Sequence, residues 1–398
     1  MCPVKKLRDT LTKCMKRGIL LMGDNMLVKF TVSNYKNFQK PITIDFTATH
    51  DYQFNQKCIN NGLLSKIIIY GNNAAGKSNF GFALFDIVGL LTDKNTDLKQ
   101  KDQHSFLNAD SDGGVARFEY VLKKESQLIT YTYEKSTPDQ ICYEELYVDN
   151  IKIYSYNFLT KSKKFEKLEQ INAETLNFEY YESNLPVLRY IANNTNQPEN
   201  SIVRFIMNYV SHMLWFRSLQ ENGYIGYTTG VENLHNWIIN NNLIYQFQKF
   251  LKDIAGIDME LDAISLDSPT PTRLLIEKHK RVPLIFESVA SNGTRALELL
   301  FYWSCKFKDV SFLFMDEFDA FYHFELARNV IKFIVELDNV QAIFTTHNSY
   351  LAGNDVLRPD CYFILNNGKL ASFVDSTDRE LREGHNLEKL LRNGEFNV

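Results

Sequence analysis

The sequence predicts an α/β protein with a parallel core sheet, an antiparallel β lobe near its N-terminus and a helical insertion. The first observation is a continuous apolar run, 67–70, that enters a glycine-rich turn and is followed by a helical pattern over 77–91. Such a run is expected of a parallel strand buried on both faces. The second is a pair of apolar runs, 310–318 and 340–348, separated by a helical pattern over 323–337. Strands that alternate with helices in this way predict βαβ units and a parallel sheet.

The antiparallel lobe is predicted from short strands in which apolar and polar residues alternate. Residues 26–38 show this alternation, and 41–48 have the pattern of a hairpin partner. Four further strand patterns follow one another between residues 115 and 160 with no helical pattern between them. Strands joined only by short turns favour antiparallel pairing. This part of the chain is therefore predicted to form a separate sheet.

The helical insertion is predicted from periodic apolar positions in the middle of the chain. We predict one helix over 201–219 and another over 231–256.

The first residues, 1–25, are basic and contain only a short apolar piece, which indicates a frayed extension or an upstream start codon. The predicted division is an N-terminal extension 1–25, a lobe 26–190 with the phosphate loop, a helical insertion 191–260, and a C-terminal lobe 261–398 with the remaining motifs.

Composition and charge restrict the class of protein. The 398 residues are 44% hydrophobic and 23% charged, as in soluble globular proteins. The net charge of −4 argues against a protein that coats nucleic acid by bulk charge, although short basic runs occur at 161–167 and 278–281. None of the six cysteines has CxxC spacing, and no apolar run is long enough to span a bilayer. We predict a cytoplasmic protein without a membrane segment, a zinc site or disulfides.

Residues 71–78, GNNAAGKS, fit the phosphate-binding pattern G-x-x-x-x-G-K-[ST] without a gap. The glycines let the backbone turn tightly, and successive N–H groups at a helix N-terminus can bind phosphate oxygens. Lys77 is predicted to reach the β and γ phosphates of a nucleotide, and the Ser78 hydroxyl to bind Mg²⁺. The residues assigned to nucleotide binding in this segment are Gly71, Asn72, Asn73, Ala74, Ala75, Gly76, Lys77, Ser78 and Asn79.

Polar residues lie at the ends of segments 310–318 and 340–348, where ligands bind in parallel α/β sheets. Asp316 is predicted to hold Mg²⁺, and Glu317 to accept a proton from an attacking water. His347 is predicted to hydrogen-bond a phosphate or to polarise that water. Ser291 and Gly293 open a further predicted helix, and this Ser-x-Gly turn is either a second anion site or a plain helix cap.

The order of these motifs resembles that of the ABC-type ATPase heads of SMC, RecF and OLD proteins. It most resembles the compact stand-alone ATPases of bacterial anti-phage and abortive-infection operons. The likeness extends from residue 26 to the C-terminus, and its supporting segments are FTVSNYKNF (30–38), GNNAAGKSN (71–79), SNGT (291–294), DEFDAFYH (316–323), TTHN (345–348) and NLEKLLRNGEF (386–396).

The resemblance implies an Mg²⁺-dependent ATPase that dimerises head to tail around ATP, or forms a higher oligomer. Ser291 and Gly293 would form the signature motif that contacts the γ-phosphate held by a second subunit. Asp319 would begin the D-loop at the dimer seam, and His347 would be the switch histidine. Residues 348–398 are too few for the nuclease domain that OLD nucleases append. The expected partner is therefore a separately encoded effector such as a nuclease or toxin.

Two alternatives stay open at this point, together with one departure from the family pattern. A DNA-binding ATPase of the RecF or SMC kind, acting in DNA repair or maintenance, would show salt-dependent DNA binding. An ATP-holding sensor with little turnover is the other alternative, and the intact Glu317 weighs against it. The glutamine that the family carries between the first lobe and the insertion is not evident, and Asn108 or Asp110 are candidates to replace it.

Overall fold

The computed structural model describes residues 25–92, 94, 105–178, 185–217, 223–226, 234–266, 272–338 and 340–396. These residues form two seven-stranded sheets and two smaller ones, with helices packed around an apolar core. The predicted fold class, an α/β protein with a parallel core sheet and an antiparallel lobe, is confirmed. Apart from Asn25, the predicted N-terminal extension lies outside the described residues. Within these ranges no helix is both long enough and apolar enough to cross a membrane.

The elements are named in chain order. The strands are β1 (Met26–Ser33), β2 (Ile42–Asp45), β3 (Ile59–Asn60), β4 (Leu63–Leu64), β5 (Lys66–Tyr70), β6 (Ala116–Lys124), β7 (Gln127–Thr137), β8 (Gln140–Val148), β9 (Ile151–Asn157), β10 (Lys163–Phe165), β11 (Met213–Arg217), β12 (Gly223–Gly226), β13 (Leu261–Leu266), β14 (Thr272–Glu277), β15 (Leu284–Ile285), β16 (Phe312–Asp316), β17 (Gln341–Thr346), β18 (Tyr362–Asn366) and β19 (Lys369–Ser372). The helices are α1 (Lys77–Leu91), α2 (Val187–Asn194), α3 (Ile202–Ser211), α4 (Leu234–Asn240), α5 (Ile244–Ala255), α6 (Phe286–Val289), α7 (Asn292–Ser304), α8 (Phe324–Val335) and α9 (Leu387–Arg392).

The antiparallel lobe has the strand order β10-β9-β8-β7-β6-β1-β2, in which β6 to β10 form a meander and β6 also pairs with β1 of the N-terminal hairpin. Strand β6 alternates buried and partly buried residues, as the sequence pattern predicts. Helix α1 is tied to this sheet by Asp86, whose carboxylate lies 2.7 Å from Lys135 Nζ and accepts a hydrogen bond from Tyr133 at 2.9 Å. The Tyr120 hydroxyl donates to the Ala83 carbonyl at 3.0 Å. The phosphate-loop helix and the lobe are thus joined by a buried polar contact.

The core sheet has the order β12-β11-β16-β17-β5-β18-β19. Its five central strands are parallel and its two edge strands are antiparallel. Registers align the carboxyl ends of four neighbouring strands, because Arg217 of β11 pairs with Asp316 of β16, and Thr346 of β17 pairs with Tyr70 of β5. The segments that follow these strands therefore meet at one edge of the sheet, where ligands bind in open α/β sheets.

The prediction of one helix over 201–219 is wrong. Helix α3 ends at Ser211, where the side chains of Ser211 and His212 hydrogen-bond to the Asn208 carbonyl. Residues 213–217 then form β11, inside the core sheet. Their sequence, MLWFR, is a short apolar run, and such a run fits a buried strand as well as part of a buried helix. Sheet pairing with β16 decides between the two.

The predicted helix over 231–256 is interrupted. Helices α4 and α5 are separated by a turn in which Asn242 has a φ of 56°. Asparagine tolerates this left-handed conformation better than most residues, so three consecutive asparagines favour a break there. Among the described residues, the predicted helical part is confirmed as α2 to α5, of which α2 begins before residue 191, and β11 and β12 between them belong to the core sheet. The domain boundaries themselves stay predictions.

Glu144 of β8 caps the N-terminus of α2 from inside the core. The side chain is fully buried and accepts hydrogen bonds from the N–H groups of Val187 at 2.6 Å and Leu188 at 3.0 Å. The hydroxyls of Tyr131 and Tyr154 donate to the same carboxylate, at 3.1 and 2.6 Å. Burial raises the pKa of Glu144, and these four hydrogen bonds oppose the rise. The first N–H groups of α2 thus find their hydrogen-bond acceptor on a strand that is distant in the chain.

Replacing Glu144 with Gln is expected to lower the free energy of unfolding by about 1–3 kcal/mol, because an amide –NH₂ group would face buried donors and leave them unsatisfied. Urea unfolding of the purified chain measures the change. The matched control is Glu134→Gln on β7, whose partly exposed ion pair with Arg117 at 3.0 Å is expected to contribute less than about 1 kcal/mol. Equal losses for the two variants would contradict the capping role of Glu144.

Candidate functional site

The loop of residues 71–76 joins β5 to α1 at the carboxyl edge of the core sheet. Both glycines of the pattern are needed, because a Cβ atom would clash with neighbouring atoms at either position and the backbone of Gly76 is left-handed. A Cβ atom on Gly71 would lie 2.8 Å from the Leu365 carbonyl oxygen. Gly76 has a φ of 105°, and a Cβ there would lie 2.3 Å from Asn37 Nδ2. A tight turn at a helix N-terminus, with glycines where the backbone turns most sharply, is the geometry that binds phosphate.

Lys77 is a buried cation at the start of α1. Its Nζ donates hydrogen bonds to the carbonyls of Gly71 at 2.8 Å and Asn72 at 3.3 Å. The same nitrogen lies 3.0 Å from Glu317 Oε1. The structure thus brings the predicted phosphate-binding lysine and the predicted base together from segments far apart in the chain.

Asp316, the last residue of β16, lies beside Ser78. The Ser78 side chain lies close to its carboxylate, and Thr345 Oγ1 donates to Asp316 Oδ1 at 2.6 Å. Burial raises the pKa of Asp316, while the Thr345 hydrogen bond, the nearby Ser78 hydroxyl and the positive charge of Arg217 oppose the rise. A hydroxyl and a carboxylate are the hard oxygen donors that Mg²⁺ prefers. The pair therefore fits the predicted metal role.

Further ligands for such an ion have to come from elsewhere. In the part of the chain that the structure describes, no group of three or more His, Cys, Asp or Glu side chains could hold a metal ion. Mg²⁺ is usually bound through one or two protein ligands together with phosphate oxygens and water. The donor set at Ser78 and Asp316 therefore fits a magnesium ion that arrives with a nucleotide.

Glu317 is held in an unusual conformation next to the acid of β16. Its φ is 45°, in the left-handed region that non-glycine residues seldom occupy and that is enriched at functional sites. Its N–H donates to Thr345 Oγ1 at 2.9 Å. Its carboxylate lies between Lys77 and His347, whose Nδ1 is 3.1 Å from Glu317 Oε2. The His347 side chain is 62% exposed, so it forms the outer rim of the site.

A comparison with models of protein families finds a match over residues 66–353 to the family described as "AAA domain, putative AbiEii toxin, Type IV TA system". The matched segment is more than half of the chain. The chain belongs to this AAA family. A comparison with curated proteins finds no significant match. The match spans the phosphate loop, both acids and the histidine of the site.

Solved structures similar to this AAA domain include three SMC heads. An SmcHead bound to the C-winged helix domain of ScpA is 17% identical, with a TM-score of 0.45, covering 87% of this chain and 97% of that chain. The SMC head domain from Thermotoga maritima is 15% identical, with a TM-score of 0.42 and coverages of 87% and 98%. An Smc head domain bound to the C-terminal domain of ScpA, from Pyrococcus furiosus, is 14% identical, with a TM-score of 0.46 and coverages of 93% and 99%.

Asp319 lies at the same edge of the AAA domain as the two acids. It is buried, and the side chains of Thr346 and Asn348, which flank His347, lie close to its carboxylate. Burial raises the pKa of Asp319, and these two side chains oppose the rise. The predicted D-loop therefore lies beside the end of β17, close to the histidine.

The predicted signature residues form a second group. Ser291 is the exposed N-cap of α7, and its Oγ accepts a hydrogen bond from the Thr294 N–H at 3.1 Å. A Cβ on Gly293 would lie 3.0 Å from the Phe321 carbonyl oxygen, so this turn packs closely on the segment after Asp319. The geometry is that of a capped helix, and the exposure of Ser291 leaves its N-terminus open to an external ligand.

Sequence reasoning missed two residues that shape the site. Thr345 bridges the two acids, and its signal was its place on the strand just before His347. Asn37 packs against the phosphate loop from another segment. Its side chain donates a hydrogen bond to the Ala75 carbonyl at 3.3 Å and accepts one from Asn79 Nδ2 at 2.8 Å. Its segment, SNYKNF, follows β1 and carried part of the family resemblance, but no role had been assigned to it.

The structure also locates the candidates for the missing glutamine. Asn108 is buried, and its amide donates to the Lys36 carbonyl at 2.7 Å while accepting from the Asp110 N–H at 3.1 Å. Asn108 therefore connects the loop after β1 to the segment before β6. Asp110 is exposed, and its carbonyl accepts from Gln39 Nε2 at 2.8 Å.

Proposed function

We propose that this AAA domain binds ATP with Mg²⁺ and hydrolyses it to ADP and phosphate. The observation that carries the proposal is the joining of Lys77, Ser78, Asp316, Glu317 and His347 in one chain of contacts at the carboxyl edge of the sheet. A cation, a pair of hard oxygen donors and a carboxylate with a neighbouring imidazole are the groups that phosphoryl transfer to water requires. Bound Mg²⁺ would neutralise charge on the phosphate oxygens.

The contacts of Lys77 couple phosphate binding to the base. Its Nζ can bind a phosphate only by giving up part of its contact with Glu317 Oε1 or with the loop carbonyls. Once Lys77 turns to the phosphate, the Glu317 carboxylate is free to accept a proton from water, while His347 holds its other oxygen. Glu317 would thus become available as a base when the nucleotide is seated.

The proposed active form is a homodimer with ATP at the seam. In support, the exposed surface of one chain carries both halves of such a contact. The loop residues Asn72 to Ala74 and the side chain of His347 face outward at the site. Ser291 presents an exposed helix N-terminus, whose partial positive charge can face a γ-phosphate held by a second copy.

We further propose that the dimer is an ATP-driven switch subunit of an anti-phage defence system and controls a separately encoded effector. The family description, which names a putative toxin of a type IV toxin–antitoxin system, supports a role in such a system. The SMC-like alternative, a DNA-binding ATPase, is separated from this proposal by measuring DNA affinity at increasing salt concentration. Affinity that falls steeply with salt in the presence of ATP would favour the alternative.

ATP is expected to convert the chain from monomer to dimer, and Ser291→Arg is expected to abolish that conversion. An arginine at this position would fill the space at the helix N-terminus while leaving the phosphate loop intact, so ATP should still bind. Sedimentation velocity measures the conversion from monomer to dimer. It is run with and without ATP on the slowly hydrolysing Glu317→Gln variant. The matched control is Asn386→Arg, which alters the exposed N-cap of α9 in the same way.

Two results would contradict the dimer proposal. One is a monomer under every nucleotide condition. The other is a Ser291→Arg protein that dimerises with ATP and, with Glu317 intact, hydrolyses ATP at the parental rate. Loss of dimerisation in both Ser291→Arg and Asn386→Arg would likewise remove the special role of the α7 N-terminus.

A further inference from the structure

A fourth strand of the parallel sheet delivers a charged residue to the edge where the site lies. Strand β11 ends at Arg217, which pairs in parallel register with Asp316. Because β11 and β16 run in the same direction, their carboxyl ends reach the same edge of the sheet. Arg217 therefore lies on the far side of Asp316 from β17 and β5, the strands that lead to His347 and the phosphate loop.

The guanidinium of Arg217 is held on an aromatic surface. Its Cζ lies 4.8 Å from the centroid of the Phe82 ring and 5.1 Å from that of Trp215. The Phe82 and Trp215 rings contact each other edge to face, with centroids 4.9 Å apart. Cations at these distances over aromatic rings are attracted to the ring faces. The side chain thus has a defined position, and it is only partly buried.

The same surface sets Arg217 close to the start of α1. Phe82 follows Ser78 by four residues on the helix, so the two side chains lie on one face about one turn apart. Helix α1 approaches the sheet closely here, because a Cβ on Gly81 would lie 2.8 Å from Phe314 and 2.9 Å from Trp215. Arg217, Ser78 and Asp316 are therefore neighbours, although they come from three separate segments.

Glu317 and Asp316 at this edge each have a cation beside them. Lys77 lies at Glu317, at 3.0 Å, and the charge of Arg217 acts on Asp316. A triphosphate with Mg²⁺ brings additional negative charge to this place. The candidate side chain Asn108 is bound to the Lys36 carbonyl and the Asp110 N–H, whereas Arg217 occupies the strand end next to the metal-binding acid.

We propose that Arg217 binds the terminal phosphate of the nucleotide, from the side opposite Lys77. The proposal rests on the proposed ATPase function. A guanidinium presents a planar fork of donors that matches two phosphate oxygens, and an aromatic platform holds that fork in one orientation. The phosphate loop already surrounds the inner phosphates, so a cation beyond Asp316 meets the terminal one. Arg217 is in this way the group by which the site distinguishes a triphosphate from a diphosphate.

The test compares ATP and ADP affinities in Arg217→Met and Arg217→Lys, made in the Glu317→Gln background so that ATP persists. Fluorescent ATP and ADP analogues with Mg²⁺ report both dissociation constants. Arg217→Met is expected to weaken ATP binding roughly 10- to 100-fold, because a charged hydrogen-bonded contact is lost. ADP binding should change less than about threefold, and Arg217→Lys should retain part of the ATP affinity.

Controls distinguish a failure of the role proposed for Arg217 from a failure of the proposed ATPase function. Arg382→Met removes a guanidinium that pairs with Glu380 in an exposed C-terminal segment, and it should change neither affinity. A background protein that binds no ATP would overturn the proposed function. A background protein that binds ATP, with Arg217→Met shifting ATP and ADP equally or not at all, would overturn the role of Arg217 alone. Urea unfolding midpoints equal to that of the background establish that the variants are folded.

Discussion

Replacement of Glu317 by Gln is expected to lower the rate of ATP hydrolysis by roughly 100- to 10,000-fold, the contribution of a positioned general base. ATP affinity should change little, because Lys77, Ser78 and the loop remain. The amide keeps the shape of the side chain but is a poor proton acceptor, and it would still lie between Lys77 and His347. Phosphate release under saturating Mg²⁺ and ATP gives the rate, and a fluorescent ATP analogue gives the affinity.

Two further variants are measured beside Glu317→Gln, one expected to lose ATP binding and one expected to behave as the parent. Lys77→Ala should lose ATP binding as well as hydrolysis, since it removes the cation at the phosphates. Glu336→Gln, which alters an exposed ion pair with Lys57, should hydrolyse ATP at the parental rate. Hydrolysis by Glu317→Gln at the parental rate would show that another group is the base.

Replacement of Arg358 by Met is expected to lower the free energy of unfolding by about 3–5 kcal/mol, because it leaves a buried charge without its partner. Arg358 and Asp360 are almost fully buried, and their side chains form two hydrogen bonds, at 2.8 and 2.7 Å. Arg358 also donates to the His50 carbonyl, and Asp360 accepts from the His50 N–H at 2.8 Å. The pair thereby attaches the segment after β2 to the turn before β18.

Urea unfolding, followed by circular dichroism, measures this loss. The control is Arg328→Met, since Arg328 pairs with the largely exposed Asp355 and exposed ion pairs contribute less than about 1 kcal/mol. A loss at Arg358 no larger than that at Arg328 would mean that water reaches Asp360 in the folded chain. It would also show that the Arg358–Asp360 pair does not stabilise the attachment of the segment after β2.

The parts of the site that sequence predicts are those fixed by local pattern. Strand β5, the loop and α1 follow directly from an apolar run, two glycines and a helical period, and the observed helix spans the predicted residues. Asp316 and His347 were found because a polar residue directly after a buried apolar run marks the ligand-binding edge. The roles given to these residues stay predictions until the variants are measured.

The parts that sequence did not predict depend on contacts between distant segments. Residues 213–217 carry no signal that separates a buried strand from a helix, and only pairing with β16 makes them a strand. Arg217 was missed for the same reason, because a residue read as the middle of a helix cannot be placed at a sheet edge. Thr345 and Asn37 each act through two hydrogen bonds to backbone or side-chain atoms, and no spacing rule indicates such contacts.

The position of β5 in the middle of the core sheet has a consequence for synthesis of the chain. Its neighbours are β17 and β18, so Ile67 pairs with Ile343, and Ile68 pairs with Tyr362. The ribosome releases β5 long before either partner, whereas the meander β6–β10 can pair as soon as it emerges. Non-local strand pairing is slow and leaves apolar segments exposed meanwhile. The lobe is therefore expected to fold first, and the parallel strands that carry the candidate site are complete only when translation has passed β18.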